Sequence, residues 1–148
     1  MKIAIVVSRF NSGVTSKLLR GAEECLERRR AQRKHLAVFS CPGAFELPQV
    51  ADKLAASGTW DAIVCLGAVI RGQTPHFDYV ARGAAHGIQD VALKRGIPVI
   101  FGVLTTENEE QALARAGGNR GNKGWDAAEA AVDMVALFRT MKRSGKRR

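Results

Sequence analysis

Short apolar runs alternate with longer amphipathic stretches along the whole chain. A continuous apolar run spans Ile3 to Val7, as is typical of a parallel strand covered on both faces. Similar short runs predict three more strands, over 36–39, 62–66 and 98–103. Between and after them, apolar residues at helical spacing predict helices over 12–29, 45–57, 79–95, 109–116 and 125–141.

This alternation predicts an α/β fold, a three-layer sandwich around a four-stranded parallel sheet. Right-handed crossovers leave few topologies, and we favour the flavodoxin-like strand order 2-1-3-4. We expect a single domain over residues 1–141, followed by a flexible basic tail over 142–148. The last predicted helix carries apolar residues along two faces, which is more than one sheet can cover, so we also expect self-association.

The composition excludes several classes of protein. The chain has 148 residues, of which 46% are hydrophobic, enough for one domain with a core. No apolar run reaches the ~18 residues that a membrane span needs, and the apolar start is too short for a signal peptide. We therefore expect a cytoplasmic protein without membrane association. The three cysteines lack metal-site spacing and are predicted to be buried, reduced thiols, while the three histidines indicate no metal.

The formal net charge of +9 is concentrated in two blocks, residues 28–34 and 142–148. Such blocks can bind nucleic acid, which makes a basic nucleic-acid-binding module the first alternative. They lack the interleaved aromatics that such surfaces use. We interpret them as a solvated helix end and a solvated terminus, and we do not expect nucleic acid as a partner.

Candidate chemistry follows the predicted strands, because ligands of an open parallel sheet bind beyond the carboxyl ends of its strands. The segments there are rich in Gly, Pro, aromatic and polar residues: 8–11, 41–48, 67–77 and 104–108. His76 lies in one of them and is the best candidate for acid–base work. Other readings stay open: Asn11 or Ser12 as a helix cap, Phe45 as core, and Glu46 as a group favoured by a helix dipole.

The segment 115–124 joins the last two predicted helices and holds four glycines among three cations. Backbone amides and positive charge can together bind a phosphate at a helix N-terminus. The alternative is a plain helix–helix turn.

Read together, these segments resemble the lumazine synthase family. The resemblance is carried, in the family's order, by the following segments: Phe10-Asn11, Pro42 to Glu46, Gly67 to Val80, Phe101 to Asn108 and Gly121 to Gly124. It implies a transferase of riboflavin biosynthesis that condenses 5-amino-6-(ribitylamino)uracil with 3,4-dihydroxy-2-butanone 4-phosphate, releasing phosphate and water. It implies no metal and no cofactor. It also implies a pentamer with active sites between subunits, a 60-subunit shell as an open question, and riboflavin synthase as a functional partner.

The resemblance also implies roles for individual residues. Phe10 would stack on the pyrimidine, Asn11 and Glu46 would hold the ribityl hydroxyls, and Ala44 and Phe45 would line the same pocket. Val69 and Ile70 would pair with the heterocycle through their backbone, and Gly72, Gln73, Thr74 and Arg115 would hold the phosphate. His76 would transfer protons, and Phe101, Lys123 and Arg115 would come from the adjacent subunit.

This chain departs from the family pattern near Arg115. Ala114 stands where Glu is usual, Gly118-Asn119 replaces a Thr-Lys pair, and a cation follows at Arg120. A shell protein that kept the fold and lost the activity is the second alternative. The presence of Glu46, His76, Arg115 and Lys123 argues against it.

Overall fold

A computed structural model describes residues 1–31 and 33–145, and it contains a four-stranded parallel sheet. The strands are β1 (Ile3–Ser8), β2 (Leu36–Cys41), β3 (Ala62–Ile70) and β4 (Val99–Thr106). Their order is β2-β1-β3-β4, so the predicted order 2-1-3-4 is confirmed. β1 and β3 are central and almost wholly buried, which explains their continuous apolar sequences.

Helices cover both faces of the sheet: α1 (Ser12–Arg28), α2 (Leu47–Ala56), α3 (His76–Arg95), α4 (Glu109–Ala114) and α5 (Lys123–Gly145). One core cluster lies between the sheet and the layer of α1 and α5, and a second lies between the sheet and the layer of α2 and α3. The three-layer sandwich is therefore confirmed.

Several strand and helix ends differ from the predicted bounds. β3 and β4 continue past their apolar runs because their ladder extends from Ile63↔Val99 to Ile70↔Thr106. Val69 and Ile70 therefore lie in a strand, not in a loop. β2 likewise continues to Cys41, paired with the end of β1. α3 begins at His76 rather than at residue 79, and α4 ends at Ala114 rather than at residue 116.

The glycine-rich break is a small hairpin. Strands β5 (Ala116–Gly118) and β6 (Gly121–Asn122) pair antiparallel around Asn119 and Arg120. Gly117 and Gly121 adopt positive φ angles of 101° and 78°, which side chains with a Cβ rarely tolerate. This hairpin was not predicted from the sequence, because glycine spacing alone does not reveal a two-residue turn.

Two arginines of the first basic block, Arg28 and Arg29, connect the C-terminal end of α1 to α5. The Arg29 guanidinium pairs with Asp133 at 2.7 Å and with Glu129 at 3.4 Å, and Arg28 lies over the Trp125 ring. α5 extends to Gly145, so it includes the first part of the predicted tail. The last residues of that tail, 146–148, lie outside the described residues, and its flexibility stays a prediction.

Candidate active site

A cleft of about 650 Å³ opens over the carboxyl ends of β1, β2 and β3, and we call it the sheet-edge cleft. This volume is typical of small-molecule sites. Its lining residues are Phe10, Asn11, Pro42, Gly43, Ala44, Phe45, Glu46, Ala68, Val69, Ile70, Gly72, Thr74, His76, Phe77, Tyr79 and Val80. Three of its aromatic side chains, Phe10, Phe45 and Tyr79, are more than half exposed, so the chain presents flat apolar surfaces beside a few polar groups.

The Asn11 side chain is fixed by a tertiary contact rather than by a capping hydrogen bond. It precedes α1 with a left-handed backbone (φ 61°), a conformation that Asn tolerates better than most residues. Asn11 occupies the N-cap position, as one of the two predicted caps, and its carbonyl accepts from the N–H groups of Val14 and Thr15. Its side chain makes no cap hydrogen bond. Instead, Nδ2 donates to the Ala68 carbonyl of β3 at 2.9 Å. The amide oxygen has no partner among the described residues and can accept a hydrogen bond from a ligand.

Phe45 stands on the opposite wall, within a 3-10 helix over Ala44–Glu46. Its ring is 52% exposed, so the alternative interpretation as core packing was wrong. One edge of the ring lies against α3 where Gly83 leaves room. A Cβ at Gly83 would come within 2.6 Å of Phe45 Cε2. The absence of a side chain at position 83 therefore sets where the Phe45 ring can lie.

The thiol of Cys41, at the end of β2 before this wall, is shielded. Cys41 is buried, and its burial, together with the charge of Glu46, raises the pKa of its thiol. Burial also raises the pKa of Cys65 and of Cys25. All three thiols are free and buried, as predicted.

The loop between β3 and α3 carries Gly72, Gln73, Thr74 and Pro75 and leads into His76. The Thr74 hydroxyl accepts a long hydrogen bond (3.4 Å) from the His76 backbone N–H at the start of α3. His76 therefore occupies the first turn of a helix rather than a loop, and its exposed side chain lines the cleft. Gln73 is exposed in the same loop but is not among the lining residues.

A second cleft of about 440 Å³ lies beside the end of β4, and we call it the basic cleft. It is lined by Phe101, Val103, Leu104, Thr105, Thr106, Arg115, Arg120, Lys123 and Asp126. Three cations face a single carboxylate in this set, which favours an anionic ligand. The Arg120 guanidinium has no ion pair among the described residues, so its charge is not neutralised by any of them.

Backbone contacts hold the cations of the basic cleft on one frame. The Lys123 N–H donates to the Arg115 carbonyl at 2.9 Å, and the Arg120 N–H donates to the Ala114 carbonyl at 2.8 Å. Asn122 caps α5, because its Oδ1 accepts from the N–H groups of Gly124 and Trp125. Lys123 is therefore held at the first position of a firmly capped helix.

The structure divides the predicted site residues between the two clefts. Phe101, Arg115 and Lys123 line the basic cleft, whereas all the other predicted site residues except Gln73 line the sheet-edge cleft. Thr105, Tyr79 and Asn122 lie within the motif segments, but the resemblance gave them no role. The structure places Thr105 and Tyr79 in the cleft linings and Asn122 as the cap of α5. Thr105 could have been predicted as a lining residue from its position directly after residues 102–104, which are buried in the strand.

A third cavity, of about 670 Å³, lies between α1 and the hairpin. No predicted site residue lines it. Its charged groups are mixed, Lys17 and Arg20 with Glu24 and Glu110, and they favour no single class of ligand. Within residues 1–31 and 33–145 there is no cluster of three metal-ligating side chains, and no helix is long and apolar enough to cross a membrane.

A flavodoxin-like sandwich with a ligand-sized cleft at its sheet edge, lined by a histidine, is typical of small-molecule enzymes of the α/β class. A family model described as 6,7-dimethyl-8-ribityllumazine synthase matches residues 1–139. The chain belongs to this family.

Curated relatives of the same name cover nearly the whole chain. The protein of Chlorobium phaeovibrioides is 54% identical over 95% of this chain and 90% of its own length. That of Chloroherpeton thalassium is 52% identical over the same shares. That of Chlorobium chlorochromatii is 53% identical over 95% of this chain and 91% of its own length.

Proposed function

We propose that this chain catalyses the family's reaction, the condensation of 5-amino-6-(ribitylamino)uracil with 3,4-dihydroxy-2-butanone 4-phosphate. The product is 6,7-dimethyl-8-ribityllumazine, and phosphate and water are released. The observation that carries the proposal is the sheet-edge cleft, which combines flat aromatic surfaces, hydroxyl-binding groups and His76. The chain is thus a transferase of riboflavin biosynthesis.

The ribitylaminouracil lies in the sheet-edge cleft in this proposal. Phe10, which is 71% exposed, offers a ring on which the pyrimidine stacks. The free amide oxygen of Asn11 and the carboxylate of Glu46 accept hydrogen bonds from the ribityl hydroxyls. Ala44 and Phe45 line the same pocket. The last residues of β3, Val69 and Ile70, offer backbone groups to the heterocycle.

The sugar phosphate lies beside the β3–α3 loop. The backbone of Gly72 and Gln73, the Thr74 hydroxyl and the Arg115 guanidinium bind its phosphate, for which a planar guanidinium is well suited. His76 removes and returns protons as the uracil amine attacks the carbonyl and as the phosphate leaves. Holding both substrates together supplies part of the rate by orientation alone.

The separation of the two clefts supports a site shared between subunits. Phe101, Arg115 and Lys123 belong to the proposed site but line the basic cleft of the same chain, away from His76. We infer that a ligand touching both sets lies between the basic cleft of one subunit and the sheet-edge cleft of another. We infer a homo-oligomer, a pentamer by the family resemblance, with a 60-subunit shell as its possible larger assembly.

Two further inferences concern the setting of the reaction. The enzyme works in the cytoplasm, where a riboflavin synthase that consumes the lumazine product is its functional partner.

The alternative of a nucleic-acid-binding module is disfavoured, since Arg28 and Arg29 of the first basic block are engaged with α5.

The proposal is tested by mixing the protein with both substrates and following lumazine formation by absorbance. We expect turnover well above the uncatalysed condensation, because positioned acid–base catalysis contributes about 100-fold or more. A rate equal to the background, with protein shown to be folded by circular dichroism, would overturn the proposed activity and favour the catalytically silent shell.

A further inference from the structure

Arg71 is the first residue after β3, and its side chain folds back over the loop that it begins. Its Nε donates to Glu107 Oε2 at 2.7 Å, and its Nη2 lies 3.6 Å from Asp78 Oδ1. The guanidinium also lies over the Phe77 ring, 4.4 Å from the centroid. One side chain thus contacts the end of β4 and the first turn of α3.

Through these contacts, the Arg71 side chain connects the start of the β3–α3 loop to the residues just after it. Gly72, Thr74 and His76 lie between Arg71 and the residues that its side chain holds, Phe77 and Asp78. The Arg71 backbone is fixed as well, because its N–H donates to the Thr106 carbonyl at 2.9 Å. Glu107 is itself anchored, since its N–H donates to Gln111 Oε1 at 2.9 Å. The guanidinium therefore joins the start of α3, beyond the loop, to the end of β4.

We propose that Arg71 is a positioning residue that holds the β3–α3 loop and His76 in their binding geometry and does not itself bind the substrate phosphate. The inference rests on the proposed function. The charge of Arg71 argues for positioning, because its guanidinium is already paired with carboxylates. The hydrogen bond with Glu107, followed by the nearby carboxylate charges, raises the pKa of Arg71. Arg71 is also absent from the lining of the sheet-edge cleft, although its neighbours Ile70 and Gly72 line it.

The two roles predict opposite effects of removing Glu107. If Arg71 positions the loop, Glu107→Ala releases the loop and raises the KM for the sugar phosphate. If Arg71 binds the phosphate directly, Glu107→Ala frees the guanidinium for the substrate and lowers that KM. Glu107 lines neither cleft, so its removal deletes no proposed substrate contact.

The experiment measures kcat and both KM values for Arg71→Ala, Arg71→Lys, Glu107→Ala and the double variant. We expect Arg71→Ala to raise the KM for the sugar phosphate about tenfold and to lower kcat, because small misplacements of positioned groups are costly. The KM for the ribitylaminouracil should stay within about twofold, since its proposed contacts lie elsewhere in the cleft. Arg71→Lys should restore part of the loss, and the double variant should be no worse than Arg71→Ala, since both changes remove the same contact.

Arg95→Ala is the matched control. Arg95 lies on α3 as well and pairs with Asp52 through bonds of 2.8 and 3.0 Å, far from either cleft lining. Its loss should lower Tm and leave both KM values unchanged. Unchanged kinetics in Arg71→Ala, or a lower KM for the sugar phosphate in Glu107→Ala, would overturn the positioning role.

A second measurement separates this inference from the proposed function. Titration with inorganic phosphate, followed by calorimetry, needs no turnover. We expect Arg71→Ala and Glu107→Ala both to weaken phosphate binding relative to the parent protein. If the parent makes no lumazine, the proposed function fails, and equal phosphate affinity in parent and variants then overturns the positioning role separately.

Discussion

His76 occupies the first turn of α3 with its side chain in the sheet-edge cleft, and this placement sets a prediction for the chemistry. His76→Ala should lower kcat by about 100-fold, because proton transfer by a positioned side chain contributes at least that much. Both KM values should change little, since the substrates keep their other contacts. Steady-state kinetics with each substrate varied in turn will measure this.

The matched control for His76 is His86→Ala. His86 is exposed on the same helix and lines no cleft, so its replacement should leave kcat and both KM values unchanged. If His76→Ala retained the parent kcat, the assignment of the proton-transfer role to His76 would be wrong.

Gly83 leads to a second prediction at the scale of the residue. A Cβ at this position would come within 2.6 Å of the Phe45 ring, so the ring of Gly83→Ala must move away from α3. The KM for the ribitylaminouracil should rise several-fold, while the KM for the sugar phosphate, whose proposed contacts lie elsewhere, should not.

Combining Gly83→Ala with Phe45→Leu tests the proposed route. Once the ring is absent, the added methyl group has nothing to displace, so Gly83→Ala should have no further effect on the KM. Additive effects of the two changes would show that Gly83 acts on something other than Phe45.

The place of the candidate site could be predicted from the sequence, because parallel strands bring the segments that follow them to one edge. The individual residues came from the family resemblance, and the structure places all of them except Gln73 in the linings of the two clefts. Contacts made by side chains across elements could not be predicted in this way. The bond from Asn11 to Ala68 joins residues far apart in the chain, and local spacing suggested a helix cap instead. The contacts of Arg71 could not be predicted either, because they depend on the end of β4 lying near the start of α3.

At the scale of elements, the apolar pattern predicted every main strand and helix, since the central strands are continuous apolar runs and each helix buries one recurrent face. It ended β3 too early because Gly67 and Ala68 are small and interrupt the run, although the ladder with β4 continues through them. It missed the hairpin because two short strands of mostly glycine have no apolar period to detect.

The closest approach of two helices leads to a prediction about stability. A Cβ at Gly124, the second residue of α5, would overlap the Leu18 carbonyl of α1, and backbone there cannot move aside easily. Gly124→Ala should therefore destabilise the fold by about 1–3 kcal/mol, as overpacking of a dense interior does. Denaturant unfolding monitored by circular dichroism will measure the change in the free energy of unfolding.

Gly13→Ala is the comparison for Gly124→Ala. Gly13 lies on α1, and a Cβ there meets nothing within 4 Å. This change should be neutral or slightly stabilising, since Ala favours helix by about 0.5–1 kcal/mol. Equal stability in the two variants would refute the proposed clash between Gly124 and Leu18.

At the scale of the whole molecule, the two clefts carry complementary halves of one proposed site. The sheet-edge cleft holds aromatic and acid–base groups, whereas the basic cleft holds Arg115, Arg120 and Lys123. Ala127, Ala128, Ala131 and Val135 of α5 are buried within the chain, so both of its predicted apolar faces are partly covered already. Leu137 and Met141 near its end, and the exposed rings around the sheet-edge cleft, are the apolar surfaces that a neighbouring copy could cover. In the proposed shared site, assembly would be a condition of activity rather than an addition to it.

A shared site predicts complementation between two inactive variants. His76→Ala damages only the sheet-edge half, and Arg115→Ala damages only the basic half. After the two proteins are unfolded together and refolded as a mixture, about a quarter of the interfaces in a ring should join two undamaged halves. The mixture should therefore recover about that fraction of the parent activity, whereas the variants refolded separately and then mixed should stay inactive. Because each chain carries one damaged half, no single subunit can restore the site, and activity that failed to return in a correctly assembled mixture would place both halves within one chain.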